Sequence, residues 1–385
     1  MTTTQQRILL VMFGLTIGVG IAGGAWWLLR PPSCEPEQAA GEATGAISYY
    51  KMPCDNFLWD LAEPGLPNHT IRQNNLGMHD EIVTFEKAPG TFRVLVLGDS
   101  YVQGLQVPLE QGFVDLLETR LNREYRQPVE VINLGVDTIG TDRVLMLYSV
   151  LGYRFDADVV LLATYVGNDV QNNSIEMARL RNEGYSPRPF FKLDAAGNLR
   201  LYNWTQPLPQ DDHPAPVWLR RAQTQQPFVI VTPPAPVVVQ QAPYELEYPV
   251  QLGLYLPEDD YWAEAWQITD AVLAQFAGLT AATDTPFGVL VIPDRRTVHV
   301  EDYRRTIERY PFIGTYDPGA AQERMVTLSE AHGIPTLDLL PVLFSAEQNG
   351  DRAYLELDGH YNALGHELTA GAVYDWMVEN GFVPQ

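Results

Sequence analysis

Cysteine is nearly absent from this chain, since Cys34 and Cys54 are the only two among its 385 residues. So few cysteines exclude a disulfide-rich scaffold. No group of cysteine, histidine and carboxylate residues has the spacing of a zinc site, and the glycines lack the pattern of a phosphate-binding P-loop. We therefore expect neither a metal ion nor a nucleotide as cofactor.

Positive charge is also scarce. The chain has 25 Lys and Arg against 48 Asp and Glu, which gives a formal net charge of −23. Affinity for nucleic acid rests on clustered Lys and Arg, so this imbalance argues against a nucleic-acid partner. Hydrophobic residues make up 46% of the chain and charged residues 19%, values typical of a globular protein.

Near the N-terminus, the stretch from Ile8 to Leu29 contains no charged residue. At about 1.5 Å per residue, a helix of this length spans the roughly 30 Å hydrocarbon core of a membrane. Trp26 and Trp27 fall near its end, where interfacial rings are favoured. The stretch predicts a transmembrane anchor over residues 1–30, with a cleaved signal peptide as the alternative.

The two cysteines follow this stretch, and a single pair is typical of a disulfide in an oxidising compartment. Two free thiols are the alternative. We expect a single-pass membrane protein whose main domain lies outside the cytoplasm, with Cys34 and Cys54 bridged. Residues 31–72 are expected to form a tether and lead-in, because their first part is polar and lacks periodicity. The domain is expected over residues 73–385.

The domain alternates apolar runs with stretches of helical periodicity. Residues 94–97 are apolar without alternation, which is typical of a strand covered on both faces of a parallel sheet. This βα rhythm predicts a three-layer α/β/α, flavodoxin-like fold. Further strands are expected at 129–134, 158–165, 287–292 and 335–339, and helices at 108–121, 142–155, 261–279, 303–308, 320–331 and 363–379.

Between residue 171 and about residue 260 this rhythm stops, and proline and polar residues dominate. An irregular segment of this length inside a compact domain is usually functional or mobile. We expect an insertion beside the site, in the position of a lid.

Polar residues follow two of the predicted strands. The first strand breaks into Gly98-Asp99-Ser100, and the third is followed by Gly167-Asn168-Asp169. Open parallel sheets keep their chemistry at the carboxyl ends of their strands. Ser100 and Asn168 are therefore expected to face one crevice, although a serine in this place is equally typical of a helix N-cap.

Asp358 and His360 stand just before the last predicted helix. In an extended segment, residues two apart point to the same side. Asp358 is therefore expected to hold the His360 ring while the other ring nitrogen faces Ser100. In such a triad the base activates the hydroxyl and the acid orients the base.

Three blocks, in this order, resemble those of the SGNH (GDSL-type) hydrolases, from about residue 74 to the end of the chain. They are Gly98-Asp99-Ser100, Gly167-Asn168-Asp169 and Asp358-Gly359-His360. The resemblance implies that Ser100 is the nucleophile and His360 the base. It also implies that Asn168 and the Ser100 N–H are oxyanion donors.

Two departures from the family's pattern bear on the chemistry. Asp358 stands two residues before the histidine rather than three, a D-x-H arrangement that resembles the alginate-type acetyltransferases and keeps acyl transfer open. The family has an oxyanion glycine five residues after an asparagine that corresponds to Asn133, and this chain has Thr138 at that position. Because threonine resists φ > 0, we expect either a differently shaped turn there or Gly140 in the same role.

Other titratable residues compete with this assignment. His366 is the rival base, but six residues of helix would carry it more than a turn away from the position of His360. Asp99 and Asp169 are expected to form turns. His299 and His332 stand alone in the sequence and are expected on the surface.

These residues predict a membrane-anchored serine esterase that acts on acyl esters, acetyl esters in particular, of cell-surface glycans. One alternative is an O-acyltransferase acting on polysaccharide. The other is a catalytically silent glycan-binding or assembly protein on the same scaffold.

Overall fold

The computed structural model describes residues 34, 54, 56–59, 63, 68–180, 190–202, 229–231, 249–313 and 317–384. The predicted anchor and the Pro-rich stretch at 233–239 lie outside these residues. Within them, no helix is both long enough and apolar enough to cross a membrane. Cys34 and Cys54 are both disulfide-bonded, which is the state predicted from a lone pair.

Five strands form the central sheet, and every neighbouring pair in it is parallel. Their bounds are Phe92–Gly98 (β1), Val129–Gly135 (β2), Val159–Tyr165 (β3), Phe287–Ile292 (β4) and Thr336–Asp338 (β5). The α-helices are Ser100–Gln103 (α1), Phe113–Glu124 (α2), Thr141–Val150 (α3), Asp169–Asn172 (α4), Ile175–Leu180 (α5), Asp260–Ala281 (α6), Arg295–Val298 (α7), Val300–Arg309 (α8), Ala320–Ala331 (α9), Leu340–Gln348 (α10) and Ala363–Glu379 (α11).

The strand order across the sheet is β2-β1-β3-β4-β5. This is the flavodoxin-like order. From β1 the chain passes to one side of the sheet for β2 and then crosses to the other side for β3, so the topological switch point lies between β1 and β3. Leu97, next to the end of β1, lies opposite Leu162 of β3, and β3 runs three residues further, to Tyr165. The predicted α/β class and parallel sheet are confirmed, and the crevice at the switch point lies where Ser100 and Asn168 leave the sheet.

Helices cover both faces of the sheet. Val94 and Val96 of β1 pack into one hydrophobic cluster together with residues of α2 and α11. Leu95 and Leu97 point the other way, into a second cluster with residues of α3, α6 and α9. All four side chains are fully buried, so truncating either leucine to alanine should cost on the order of 2–5 kcal/mol of stability. Burial on both faces explains why the strands read as apolar without alternation.

The backbone is regular where the structure describes residues 171–260. Strands Phe190–Leu193 and Leu199–Tyr202 pair antiparallel, and Val229–Val231 joins the second of them in parallel. The hairpin turn forms because Asp194 accepts the N–H groups of Ala196 and Asn198 at 2.9 and 3.0 Å. The expectation of an irregular segment is therefore wrong for these residues. The turn depends on one aspartate, and the overall composition of the segment does not reveal it.

The lead-in also contains regular structure. Strands Asn56–Trp59 and His69–Arg72 pair antiparallel, with Phe57 opposite Ile71. Ile71 is fully buried. The part of the chain expected to serve as a lead-in is thus built into a two-stranded ladder.

Candidate active site

The turn after β1 presents Ser100 as the first residue of α1. Asp99, not Ser100, caps this helix, since its Oδ1 accepts the Tyr101 N–H at 3.0 Å. The first N–H groups of a helix have no acceptor within it. Ser100 is therefore released from a capping role, and its own N–H is directed away from the helix.

Ser100, His360 and Asp358 are in direct contact. The Oγ of Ser100 lies 2.8 Å from Nε2 of His360, and Nδ1 of the same ring lies 2.6 Å from Oδ1 of Asp358. A carboxylate only accepts, so Nδ1 carries the ring hydrogen and Nε2 is left as the acceptor for the Ser100 hydroxyl. This is the arrangement that a general base requires.

The pKa of Asp358 favours its ionised form. Burial by itself would raise this pKa, but the hydrogen bond from His360 and the charge of that ring lower it below its usual value. The carboxylate is therefore charged at neutral pH and holds the Nδ1 hydrogen in place.

The segment that joins Asp358 to His360 is a turn and not the extended strand expected from the sequence. Gly359 has a φ of +88°, in the left-handed region that favours glycine. Oδ1 of Asp358 accepts the backbone N–H of His360 at 3.1 Å as well as the ring hydrogen. The two side chains still meet, but the turn at Gly359 brings them together rather than the pleat of a strand.

Two further residues, which the sequence gives no reason to single out, hold this histidine loop (residues 355–360). The Tyr101 hydroxyl donates to the Gly359 carbonyl at 3.0 Å, and its ring lies 4.9 Å from that of His360. Arg295 Nη1 donates to the carbonyls of Leu355 and Glu356 at 3.0 and 2.9 Å. These partners are distant in sequence from the loop, so no local pattern reveals them.

Asn168 follows β3 and lines the same cavity as His360. It precedes α4 but does not use its side chain to cap that helix. Its Oδ1 atom is buried, and its side chain hydrogen-bonds the Asp99 carboxylate. Because a carboxylate only accepts, the amide nitrogen is the donor there, and the second hydrogen of that nitrogen can reach the cavity. A donor in this place suits the oxyanion role that the resemblance implies.

The turn at Thr138 has a backbone conformation that is unusual for threonine. Thr138 has a φ of +60°, and its carbonyl accepts a hydrogen bond from Arg143. A non-glycine residue in this region carries strain on the order of 1–3 kcal/mol. Thr138 thus adopts the positive φ that its side chain disfavours, and both Thr138 and Gly140 stay predictions for the third oxyanion donor.

Close packing requires a glycine at position 140. Its φ is −97°, which any residue adopts. A Cβ at this position would lie 2.4 Å from Oδ1 of Asn173 and 2.8 Å from the Asp169 carbonyl oxygen. The close approach of the loop to α4 explains this glycine without an oxyanion role.

A cavity of about 610 Å³ opens beside His360. Besides the site residues it is lined by four arginines, Arg295, Arg296, Arg305 and Arg309. Arg296 is held by two hydrogen bonds to Asp294, at 2.7 and 2.6 Å. Among the residues described, no group of three or more His, Cys, Asp and Glu side chains could hold a metal ion.

His366, the rival base, packs inside the domain. Its Nδ1 accepts the Phe113 N–H at 3.2 Å, and its ring stacks on that of Phe113. Burial lowers the pKa of His366 to about 3. The ring is therefore neutral and joins α11 to α2, and it is His360 that contacts Ser100.

This buried histidine should make stability depend on pH. His366 has a pKa of about 3 when folded, against its ordinary value of 6.5, so between these values the unfolded chain binds a proton that the folded chain does not. The free energy of unfolding should fall as pH drops below about 6.5, by at most about 1.4 kcal/mol per pH unit from this residue.

A variant with His366→Asn keeps a neutral acceptor for the Phe113 N–H but cannot titrate. Urea unfolding of both proteins at several pH values between 4 and 7 measures the difference. The variant should show a shallower dependence on pH, and equal slopes for the two proteins would contradict a neutral buried His366.

The remaining titratable residues singled out from the sequence cap a helix, form a turn, pair on the surface or pack inside the domain. Asp99 caps α1, and burial raises its pKa to about 6. Asp169 accepts the Tyr165 N–H at 2.9 Å. His332 pairs with Asp270 at 2.7 Å on the surface, as expected. The surface prediction is wrong for His299, which is buried because its ring packs edge-on against Tyr354.

Comparison with protein families identifies this arrangement. Residues 254–382 match the family described as the SGNH hydrolase-like domain of the acetyltransferase AlgX. Over these residues the chain is similar to an SGNH hydrolase-like domain. The resemblance predicted from the three sequence blocks is thus confirmed. The matched residues contain Asp358 and His360, whereas Ser100 and Asn168 precede them.

Solved structures similar to this chain come from several bacterial and metagenomic sources. An α/β hydrolase from the metagenome of Lake Arreo, Spain, is 15% identical with a TM-score of 0.39, over 76% of this chain and 97% of that one. A lipase/acylhydrolase from Enterococcus faecalis is 13% identical with a TM-score of 0.37, over 75% and 96%. A variant of an acetyl-xylooligosaccharide esterase from Geobacillus is 12% identical with a TM-score of 0.38, over 74% and 94%. No curated protein sequence matches the chain.

Proposed function

We propose that this protein cleaves acyl esters, acetyl esters in particular, with Ser100 as nucleophile. The observation that carries the proposal is the unbroken contact from Ser100 Oγ to His360 at 2.8 Å and from His360 to Asp358 at 2.6 Å. A binding protein has no need of a hydroxyl aligned on an oriented base, which argues against the catalytically silent alternative.

In the first half-reaction, the Ser100 hydroxyl gives its proton to Nε2 of His360 while its oxygen attacks the acyl carbonyl carbon. The carbonyl oxygen becomes an oxyanion, for which the Ser100 N–H, the Asn168 amide and the Thr138 N–H are the proposed donors. The imidazolium is stabilised by Asp358 and returns its proton to the leaving alkoxide. The ester bond breaks, and an acyl-Ser100 ester remains.

The second half-reaction repeats these steps with a new nucleophile. A water or an acceptor hydroxyl gives its proton to His360 and attacks the acyl-enzyme. Water yields the free acid, whereas a sugar hydroxyl yields a new ester. The hydrolase and the transferase thus share one site and differ only in which hydroxyl reaches the acyl group.

Acyl transfer to a glycan is the second candidate. The matched family is described as that of an acetyltransferase, and the D-x-H block of this chain has the spacing that resembles such enzymes. The cavity of about 610 Å³ is in the range of sites that take small organic ligands. Both observations support an acceptor bound beside the acyl group.

Release of chromophore from a chromogenic acetyl ester, with and without a sugar acceptor, tests the proposal. We expect Ser100-dependent release without acceptor. A transferase should also give acetylated sugar and faster release when acceptor is added. If the folded protein neither releases chromophore nor acetylates a sugar, the assignment to ester chemistry is wrong.

We also propose that the domain is tethered outside the cytoplasm by the uncharged stretch at residues 8–29. The disulfide-bonded state of Cys34 and Cys54 supports an oxidising compartment. Labelling of intact cells with a membrane-impermeant thiol reagent, before and after reduction, tests this. Both cysteines should react only after reduction, and protease access to the domain only from the cytoplasmic side would reverse the topology.

A further inference from the structure

A carboxylate from the lead-in reaches the histidine loop. The side chain of Glu63 accepts the backbone N–H groups of three successive loop residues, namely Glu356, Leu357 and Asp358. The Leu357 N–H lies 3.0 and 3.1 Å from the two carboxylate oxygens, and the Asp358 N–H lies 3.3 Å from Oε2. Glu63 is only 8% exposed, so these contacts are sheltered from water.

Successive N–H groups that point to one place form a concave site for an anion. Here the occupant is part of the chain itself. Hydrogen bonds to a charged acceptor are stronger than those between neutral groups. A single carboxylate therefore binds all three N–H groups of the loop backbone from residue 356 to residue 358. Glu63 and Glu356 are 293 residues apart in the sequence.

Glu63 and Arg295 both hold the backbone of the histidine loop, one by accepting hydrogen bonds and the other by donating them. Arg295 binds the carbonyl oxygens of Leu355 and Glu356, whereas Glu63 binds the N–H groups that follow. Asp358 is the last of these residues, and its side chain is the one that orients His360. Its N–H cannot shift away from Glu63 without moving the carboxylate that contacts the His360 ring.

We propose that Glu63 is a positioning residue that sets the histidine loop so that Asp358 and His360 keep their contact. It touches neither Ser100 nor the reacting atoms, and it acts through the backbone of residues 356–358. The effect on turnover rests on the proposed function, whereas the effect on the contact between Asp358 and His360 does not.

The test uses the full chain and two variants. Glu63→Ala removes the carboxylate and leaves space for a small anion, so kcat for an acetyl ester should fall about 10- to 100-fold with KM little changed. Formate at millimolar concentration should restore kcat along a saturation curve. Glu63→Gln keeps one acceptor oxygen and fills the space, so it should lose less activity and not respond to formate.

A measurement independent of turnover is the downfield proton resonance of the His360 Nδ1 hydrogen, assigned by its loss in His360→Ala. The resonance should broaden or disappear in Glu63→Ala and return with formate. If turnover is absent in the wild type but the resonance behaves in this way, the proposed function fails and the role of Glu63 stands.

Glu118→Ala is the matched control. Glu118 also accepts a backbone N–H with its carboxylate, that of Val131 at 2.7 Å, but it lies on α2 beneath the sheet edge. This variant should lose stability and keep its kcat, and formate should leave kcat unchanged. An unchanged resonance and an unchanged kcat in folded Glu63→Ala would overturn the proposal, as would losses that formate restores equally in Glu118→Ala.

Discussion

Replacing Ser100 with alanine should reduce turnover of an acetyl ester by about 10⁴-fold or more and leave the fold intact. The hydroxyl is the only group of this residue that contacts His360, and Asp99 rather than Ser100 caps the helix. Removing the hydroxyl therefore removes the nucleophile without removing a structural hydrogen bond of the turn. Circular dichroism and thermal unfolding establish that the variant is folded, and chromophore release measures the loss.

His360→Ala should cost about as much, because the base and the nucleophile act on one proton transfer. The double variant should then be no slower than either single variant within experimental error. A double variant far below both, or a Ser100→Ala protein that keeps most of its activity, would rule out the triad. Ser149→Ala is the matched control, since Ser149 is a buried serine whose hydroxyl donates to the Leu145 carbonyl within α3.

Asn168→Ala should lower kcat by about 10²- to 10³-fold, the usual cost of losing one oxyanion donor. The side chain lines the cavity beside His360 and makes no capping hydrogen bond to α4. It does hydrogen-bond the buried Asp99 carboxylate, so the variant should also lose some stability, about 1–3 kcal/mol, while remaining folded. Because the donor is needed chiefly when negative charge develops, KM should stay nearly constant. Steady-state kinetics on the chromogenic ester separate the two constants.

Asn168→Asp is a second test of the same donor, since the aspartate side chain has the shape of asparagine but carries a negative charge in place of the amide donor. It should be slower than Asn168→Ala. Asn122→Ala serves as the control. The Asn122 amide, near the C-terminal end of α2, accepts the Val129 N–H at 2.9 Å and donates to the Val129 carbonyl at 2.8 Å. Loss of kcat in the control, or an unaltered kcat in Asn168→Ala, would remove Asn168 from the oxyanion site.

The parts of the fold that are predictable from sequence are those set by local patterns. The four longer strands of the central sheet are predominantly apolar, and helices α9 and α11 have the bounds that their periodicity predicts. The helix predicted at 142–155 ends earlier, at Val150, and continues as a short 3-10 helix from Gly152 to Phe155. Gly152 stands just after the end of this helix, where a Cβ would lie 2.8 Å from the ring of Tyr148, four residues earlier, and glycine disfavours a continued helix.

The candidate site is predictable where its residues form short blocks and hidden where they act across the chain. Ser100, Asn168, Asp358 and His360 each belong to a recognisable block. Glu63 and Arg295 do not, since each binds backbone groups of a loop far away in the sequence. The conformation of Thr138 is hidden as well, because a left-handed threonine depends on the surroundings that hold it and not on its own preference.

The distance in sequence between Ser100 and His360 has a consequence for when the protein becomes active. The two residues that must touch are 260 positions apart, and the base belongs to the last loop before the final helix. During synthesis the nucleophile emerges long before the base, and the helix that follows His360 must still dock against α2. If the proposed mechanism holds, a growing chain, or one truncated before His360, carries an inert serine, because the serine gains its base only when the loop before the last helix has folded against it.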